Sequence, residues 1–366
     1  MFSIALVSGE PALQQQFDSA VASLDPSLSL FSYADIPEFL AADIYTSLVV
    51  VDDVSGQLSS DLLQQLAEQQ AISIRVLCLP MMQDEQLVMQ LGAFHLFYSR
   101  TLSTAELSDL LYRPQLLRQL DLPLSSIRAV LAARHLPISA PISIQLQEML
   151  LDPDLAIEAI VPVVEQDAVL STRLLQLANS PYMGFSRSTS SLEIAISRIG
   201  LNLVYGLVVT LAAADVEPDA PMPDWLLWSW QHARESRIFA MQLGLANDVQ
   251  ELCFSCALLS GIGEAVLRSD TTTEHLHSLS APAITAVLLT VWGFPSNYVK
   301  PILQQEQVQT DLHNQDAQIA GVLGIAALLC PKVTSLSRQY IDATAIQSYP
   351  SDWQHAFTTL QQQRQV

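Results

Sequence analysis

Several places in the chain combine residue types that could do chemistry. Residues 256–267, CALLSGIGEAVL, form an apolar helical run broken by Ser260-Gly261 and again by Gly263-Glu264. A glycine-interrupted helix end is a common place for a metal site or a catalytic loop. This break offers one hydroxyl and one carboxylate, while a catalytic metal takes three or more protein ligands. Asp52-Asp53 closes one β-prone run and Glu10 follows another, which sets carboxylates where strand ends meet a loop. Cys253-Phe-Ser-Cys256 has the spacing of a zinc or redox pair, but no second pair or His cluster completes four ligands, so buried thiols are expected. His275 and His277 form an HxH pair in a polar stretch that reads as a surface loop, and His232 sits in a helical run as a hydrogen-bonded residue. Neither Cys nor Ser lies in a glycine elbow, no GxxxxGK occurs, and GIG at 261–263 is too short to cradle a nucleotide.

The elements that must position these residues change character along the chain. Over residues 1–112, β-prone runs at Ser3–Val7, Leu28–Tyr33, Ser47–Val51, Ile74–Leu79 and Phe94–Tyr98 alternate with helical spacings, as at Leu13, Phe17, Ala20, Val21 and Leu24. Further helices are expected at Leu58–Glu68, Asp84–Leu91 and Thr104–Leu111. Five such units predict an α/β doubly wound domain with a parallel sheet of five strands, its functional edge at the carboxyl ends of the strands. Residues 113–126, with prolines at 114 and 123, read as a linker, and 127–366 as an all-α domain with a helical C-terminal extension. Within it Pro141 and Ser143 precede a helix at Ile144–Leu151, and Asp152-Pro153-Asp154 opens the next. Ser190 and Glu193 read as a capping box, with Ser190 as N-cap, for a helix ending at Gly200. Helices follow around Leu203–Ala214, Trp225–Leu243, Val249–Leu259, Ala281–Trp292 and Asp316–Leu329.

Composition excludes some functions. Sixteen basic residues against 37 acidic ones give a formal net charge of −21, divided as −11 (14 acids, 3 bases) over residues 1–113 and −10 (23 acids, 13 bases) beyond. Direct nucleic-acid binding needs a basic face to neutralise phosphates, so neither DNA nor RNA is expected as a partner. An anionic membrane surface is disfavoured for the same reason, and no run reaches the roughly 18 uninterrupted apolar residues of a membrane span. Four cysteines inside apolar runs suit reduced thiols and a cytoplasmic protein.

Over residues 1–112 the layout resembles response-regulator receiver domains. In that family an acidic pair after strand 1 and an Asp ending strand 3 hold magnesium, and that Asp accepts a phosphoryl group. The resemblance places Asp52 on the phosphoacceptor, with Asp53 beside it. It places the acidic pair on Ser8 and Gly9, leaving Glu10 adjacent, the switch hydroxyl on Pro80 and the lysine on Ser99. Gly92-Ala93 matches the Gly-Ala that opens strand 5. The pattern therefore implies a degenerate receiver, a docking or dimerisation module.

The run LSTRLLQLANSPYMGFSRSTSSLEIAISRIGLN, residues 170–202, resembles the signature of the HDOD family, and the resemblance extends from about Leu136 to Gln305. Leu170, Leu174, Leu175, Leu177 and Ala178 make an apolar helix face, Asn179-Ser180-Pro181 stops it, and Gly184 gives the loop a permissive backbone. HDOD proteins are relatives of the HD phosphohydrolases. Against the LLHDIGK pattern of those enzymes, His-Asp is replaced by Ser260-Gly261 and the Lys by Glu264. His232 lies near the first ligand position, and Gln304-Gln305 stand where some relatives carry a His pair.

These readings imply a non-catalytic bacterial signalling protein, without metal or cofactor, acting through other signalling proteins or as a homo-oligomer. Two alternatives stay open. One is a metal-dependent phosphohydrolase using His232 with His275, His277 or Glu264. The other is a nucleotide sensor that binds in the vestigial cleft without turnover.

Overall fold

The computed structural model describes residues 2–24, 28–53, 58–80, 87–88, 90–132, 136, 138–152, 154–212, 221–269, 276, 278–331, 333, 336 and 341–364. The chain divides into two compact units. One comprises Met1–His135 with Asn179–Arg187 and Thr290–Gly293; the other comprises Leu136–Ala178, Ser188–Leu289 and Phe294–Val366.

The first unit is α/β. Strands β1 (Phe2–Val7), β2 (Leu28–Tyr33), β3 (Leu48–Asp52), β4 (Ile74–Leu79) and β5 (Leu96–Ser99) form one sheet in the order β2-β1-β3-β4-β5. Every pairing is parallel, with Val7 opposite Val51 and Asp52 opposite Cys78. That is a doubly wound order with its switch point between β1 and β3. β3 and β4 are buried at every residue, so LVVVD and IRVLCL read as unbroken runs; strands covered on both faces lose the two-residue alternation. The edge strand β2 is largely exposed or half-buried. Helices α1 (Pro11–Leu24), α2 (Ile36–Ala41), α3 (Ser60–Gln69) and α4 (Thr104–Arg118) complete the described elements of this sheet.

Strand ends fall within one or two residues of expectation. Gly92-Ala93 does not open β5, which begins at Leu96. The short helix α2 was not signalled by period. A local device makes it: Asp35 caps it by accepting the Glu38 amide at 2.8 Å, and the Glu38 carboxylate accepts the Ala34 amide in return. The helix expected at 84–91 lies largely outside the described residues.

The region expected as a linker is instead mostly helical. α4 opens with a full capping box at Ser103 and Glu106 and continues through Pro114 to Arg118. Its apolar face (Leu107, Leu110, Leu111, Leu117) stays buried past the proline, and burial outweighs the one lost amide bond. Arg118 then stacks over the Phe2 ring at 4.0 Å. Helix α5 (Leu124–Ala132) follows, and its Arg128 lies 5.5 Å from the Tyr45 ring. Residues 113–135 thus belong to the first unit, and the second begins at Leu136 rather than Ile127.

The second unit is helical: α6 (Ala140–Met149), α7 (Ile157–Val164), α8 (Ala168–Ala178), α9 (Leu192–Ile199), α10 (Leu201–Leu211), α11 (Asp224–Gln242), α12 (Asn247–Leu259), α13 (Ile262–Ser269), α14 (Ala281–Val291), α15 (Ser296–Gln304), α16 (Gln315–Leu329) and α17 (Ser351–Gln363). α7 does not start at Asp152. The Asp152 carboxylate accepts the Asp154 amide at 3.0 Å, making a local turn, and the helix begins at Ile157.

Asp167 opens α8. Fully buried, it accepts the amides of Val169 and Leu170 at 2.9 Å and of Ser139 at 2.7 Å, tying the approach to α6 onto the start of α8. The cap of α9 is Ser191, whose hydroxyl accepts the Ile194 amide, not Ser190. The Ser190 side chain is hydrogen-bonded to Tyr298 instead, and its carbonyl accepts the Ser255 hydroxyl at 2.6 Å. Gly200, with φ of 79°, separates α9 from α10, which meet at 102°. Asn247–Arg268, the 22 residues of α12 and nearly all of α13, is long and apolar enough to cross a membrane, but 83% of the apolar window is buried inside the protein, as in a core helix.

Candidate functional site

The first candidate lies at the carboxyl ends of β1, β3 and β5. Burial of β3 carries Asp52 to the end of the sheet with its side chain wholly inaccessible. A carboxylate there needs partners, since an isolated buried charge costs several kcal/mol. Ser8, the first residue after β1, donates its hydroxyl to Asp52 Oδ2 at 2.9 Å. Arg100, the first residue after β5, supplies the rest. Its Nε donates to Asp52 Oδ1 at 2.7 Å and its Nη2 to Oδ2 at 3.2 Å, a bidentate clasp. Nη2 also pairs with Glu10 Oε2. The Asp52 hydrogen bonds, with the two carboxylate charges, hold the guanidinium in its charged form and raise its pKa.

Asp53 is buried, its amide donating to the Cys78 carbonyl at 3.0 Å. Burial, and then the charge of Asp52, pushes the Cys78 thiol up to about 12. Of the predicted residues, Asp52, Glu10 and Ser8 converge. Ser99 turns its hydroxyl to the Thr101 carbonyl instead. Arg100 is the residue that sequence reasoning passed over. Its signal was present: it is one of three bases in residues 1–113, and it directly follows a strand end. A divalent cation, implied by the receiver resemblance, would need the oxygens of Asp52 and Glu10 facing open space. Both carboxylates are engaged by Arg100, and the residues as arranged do not fit the ion.

The second candidate is the break between α12 and α13. A helix break leaves amides and carbonyls without intrahelical partners. Thr285 of α14, fully buried, takes up two of them. Its hydroxyl accepts the Gly263 amide at 2.9 Å and lies 3.2 Å from the Ser260 carbonyl and 3.0 Å from the Ala281 carbonyl. Ser260 is itself fully buried and donates to the Ala257 carbonyl at 2.7 Å.

The glycines are contact points. A Cβ on Gly261 would lie 1.9 Å from Ser229 Oγ, and one on Gly263 would lie 1.9 Å from the Ala281 carbonyl oxygen. Helices α11 and α14 therefore press against the break where a larger residue would stand.

His232, on α11, is fully buried. Its Nε2 lies 2.8 Å from the Leu323 carbonyl on α16, and its ring packs on Trp228 at 4.6 Å. Gln305 is buried, its amide donating to the Ile302 carbonyl at 2.9 Å, while the Gln304 carbonyl accepts from Gln309 at 3.0 Å. Gln305 also explains Gly324 of α16, whose Cβ would come within 2.6 Å of the Gln305 carbonyl oxygen. Glu264 is buried. Among the described residues no three His, Cys, Asp or Glu side chains converge as metal ligands; His275 and His277 lie outside them. The metal of the HD enzymes does not fit the side chains present at this break, where Ser229 and Ala281 fill the space and Ser260 is spent on a carbonyl. Ser229, Thr285 and Leu323 were not legible as partners, because each lies more than 20 residues from the group it serves.

The signature run is held architecturally. The five apolar residues of α8 are fully buried, Gly184 closes a short 3-10 turn at φ of 70°, and the Thr189 carbonyl accepts the Tyr298 hydroxyl at 3.2 Å. Glu193 is exposed in the first turn of α9.

Fold and sites together define a two-part chain, a receiver-like doubly wound unit followed by a helical unit with a glycine-containing break between α12 and α13. Residues 136–308 match the HDOD domain, so the chain carries an HDOD domain that begins where the second compact unit begins. Over 129 residues the chain is 30% identical to an uncharacterized protein of Treponema pallidum (strain Nichols), an alignment covering 34% of this chain and 25% of that protein. The chain thus spans a quarter of the length of that relative. Among solved structures it is similar to the MmoQ response regulator of Methylococcus capsulatus str. Bath, with 21% identity, a TM-score of 0.45, and coverage of 53% of this chain and 85% of the other. A virulence factor of Campylobacter jejuni shows 15% identity, a TM-score of 0.44, and coverage of 63% and 96%.

Proposed function

We propose that this chain is a non-catalytic cytoplasmic signalling protein whose two units act by binding other proteins. An HDOD domain behind a receiver-like unit supports a role in signalling. The observation that carries the finer reading is the same at both sites: the polar groups at the family's reacting positions are spent on the protein itself. Asp52 is clasped by Arg100 and Ser8, and Ser260 is bonded to the helix that precedes it. A phosphoryl acceptor needs a free carboxylate oxygen and a cation for the developing charge, and a hydrolytic centre needs a metal with open coordination. With net charge −21, effects on gene expression would run through protein partners rather than through phosphate contacts.

Incubating the purified chain with a small phosphodonor and magnesium tests the first half: no label on Asp52 is expected, and stoichiometric label there overturns the reading. Elemental analysis of protein purified without chelators tests the second half. One transition metal per chain, lost on His232→Ala, would overturn this half in favour of the metal-dependent phosphohydrolase.

A further inference from the structure

We infer that Arg100 is the resident cation of the acidic site in the first unit. It stands where a receiver domain holds a divalent metal and sets that site by sequence rather than by ligand. The inference rests on the receiver-like reading of the site, and it is independent of whether the protein works through partners.

Three observations carry it. First, the contact is a two-point clasp on one carboxylate with a second carboxylate on the same Nη2, so the guanidinium bridges two anions as a divalent ion would. Planar, always charged and fitted to carboxylate geometry, Arg is the side chain suited to that place. Second, Asp52 has no exposed side-chain surface, so its charge must be met from within the protein. Third, the other two bases of residues 1–113 are committed elsewhere. Arg75 spends its guanidinium on the carbonyls of Ala93 and Gln70, and Arg113 pairs with Asp109 at 2.7 Å.

The bridge also has a mechanical consequence. Glu10 precedes α1, Asp52 ends β3 and Arg100 follows β5, so one side chain fixes three strand ends together. A cation tethered to the chain is present at all times, whatever the metal concentration.

The test titrates the full chain with Mn²⁺ followed by electron paramagnetic resonance, beside thermal unfolding of the variants. The wild type is expected to take up no stoichiometric Mn²⁺. Arg100→Ala is expected to gain Mn²⁺ binding in the millimolar range, removed again by Asp52→Asn, and to lose at least about 2–4 °C in midpoint. Asp52→Asn together with Arg100→Gln is expected to melt closer to the wild type than Arg100→Ala does. The inference is overturned by one Mn²⁺ per wild-type chain that Asp52→Asn abolishes, by an unchanged midpoint in Arg100→Ala, or by that variant gaining no Mn²⁺ binding. The wild-type titration stands alone should Arg100→Ala not fold. Absence of label from a phosphodonor would leave all three of these outcomes open, so the two readings fail separately.

Discussion

Replacing Gly261 by alanine asks whether the break in CALLSGIGEAVL is a vacated site or a packing contact. A vacated site would have room for a methyl group. In the structure the new Cβ would sit 1.9 Å from Ser229 Oγ and 2.7 Å from Ser229 Cβ. Contacts that close force α11 or the break to move, and overpacking a tight interior costs about 1–3 kcal/mol. The backbone raises no objection of its own, because Gly261 is not among the glycines with positive φ. Alanine there would by itself stabilise by about 0.4–1 kcal/mol through the unfolded chain. The predicted net loss is therefore about 1–2 kcal/mol, and it should depend wholly on Ser229. Ser229→Ala keeps the Cβ, so only Ser229→Gly relieves the clash, at a helix-propensity cost of about 0.5 kcal/mol. In that background Gly261→Ala should change from harmful to neutral or stabilising, a coupling of about 2 kcal/mol. Urea unfolding of the four proteins, followed by circular dichroism, measures it. A cost for Gly261→Ala equal within about 0.5 kcal/mol in both backgrounds would refute the reasoning, as would no cost in the wild type.

Two further outcomes follow from the same packing. Thr285→Val keeps the shape but removes the hydroxyl that serves the Gly263 amide and the Ser260 carbonyl, so it should cost about 1–3 kcal/mol in unfolding experiments; a neutral result would mean the break's peptide groups are satisfied another way. Burial pushes the Cys78 and Cys253 thiols up to about 12, while the unfolded thiol titrates near 8.5. Above that value the unfolded chain gives up protons that the folded chain keeps, so this contribution to stability is full below about pH 8.5 and is lost as pH rises toward 12. Cys253→Ala should flatten the slope of stability against pH over that window, and an unchanged slope would count against it.

The order of elements was legible because each rests on local pattern. Leu13, Phe17 and their neighbours carry a helical period, and VVVD and RVLCL carry the unbroken burial of inner strands. Local devices that need one hydrogen bond were less legible. Serines at 190 and 191 are equivalent by type, and the distant partner of the Ser190 side chain, Tyr298, cannot be read from local pattern, whereas Ser191 is left to cap α9. The extent of α4 was hidden by Pro114, a residue that ends most helices and here is outweighed by Leu117 and by Arg118 on Phe2. At the sites, the residues missing from each pattern were visible in the sequence, whereas what replaced them was not. Ser8, Gly9 and Ser99 show a lost charge pattern; that Arg100 turns back to supply the cation is a fact of how three strand ends meet.

On the proposed reading the two sites are closed by opposite means, and the difference is physical. In the first unit the phosphoacceptor-like carboxylate is present, and a buried carboxylate cannot be left alone; Arg100 meets its charge from the end of β5, two strands away. In the second unit the charged ligands themselves are absent. Removing His and Asp from a helix junction leaves volume rather than charge, and volume is recovered by approach: Ser229 and Ala281 come in over glycines that offer no Cβ. Reversal should differ accordingly. A single substitution at Arg100 reopens the first site, because the carboxylates are still there. At the second, Gly261→Asp would have to push α11 away before it could offer an oxygen to any metal, so restoring the ligands one at a time destabilises the fold before it restores a site.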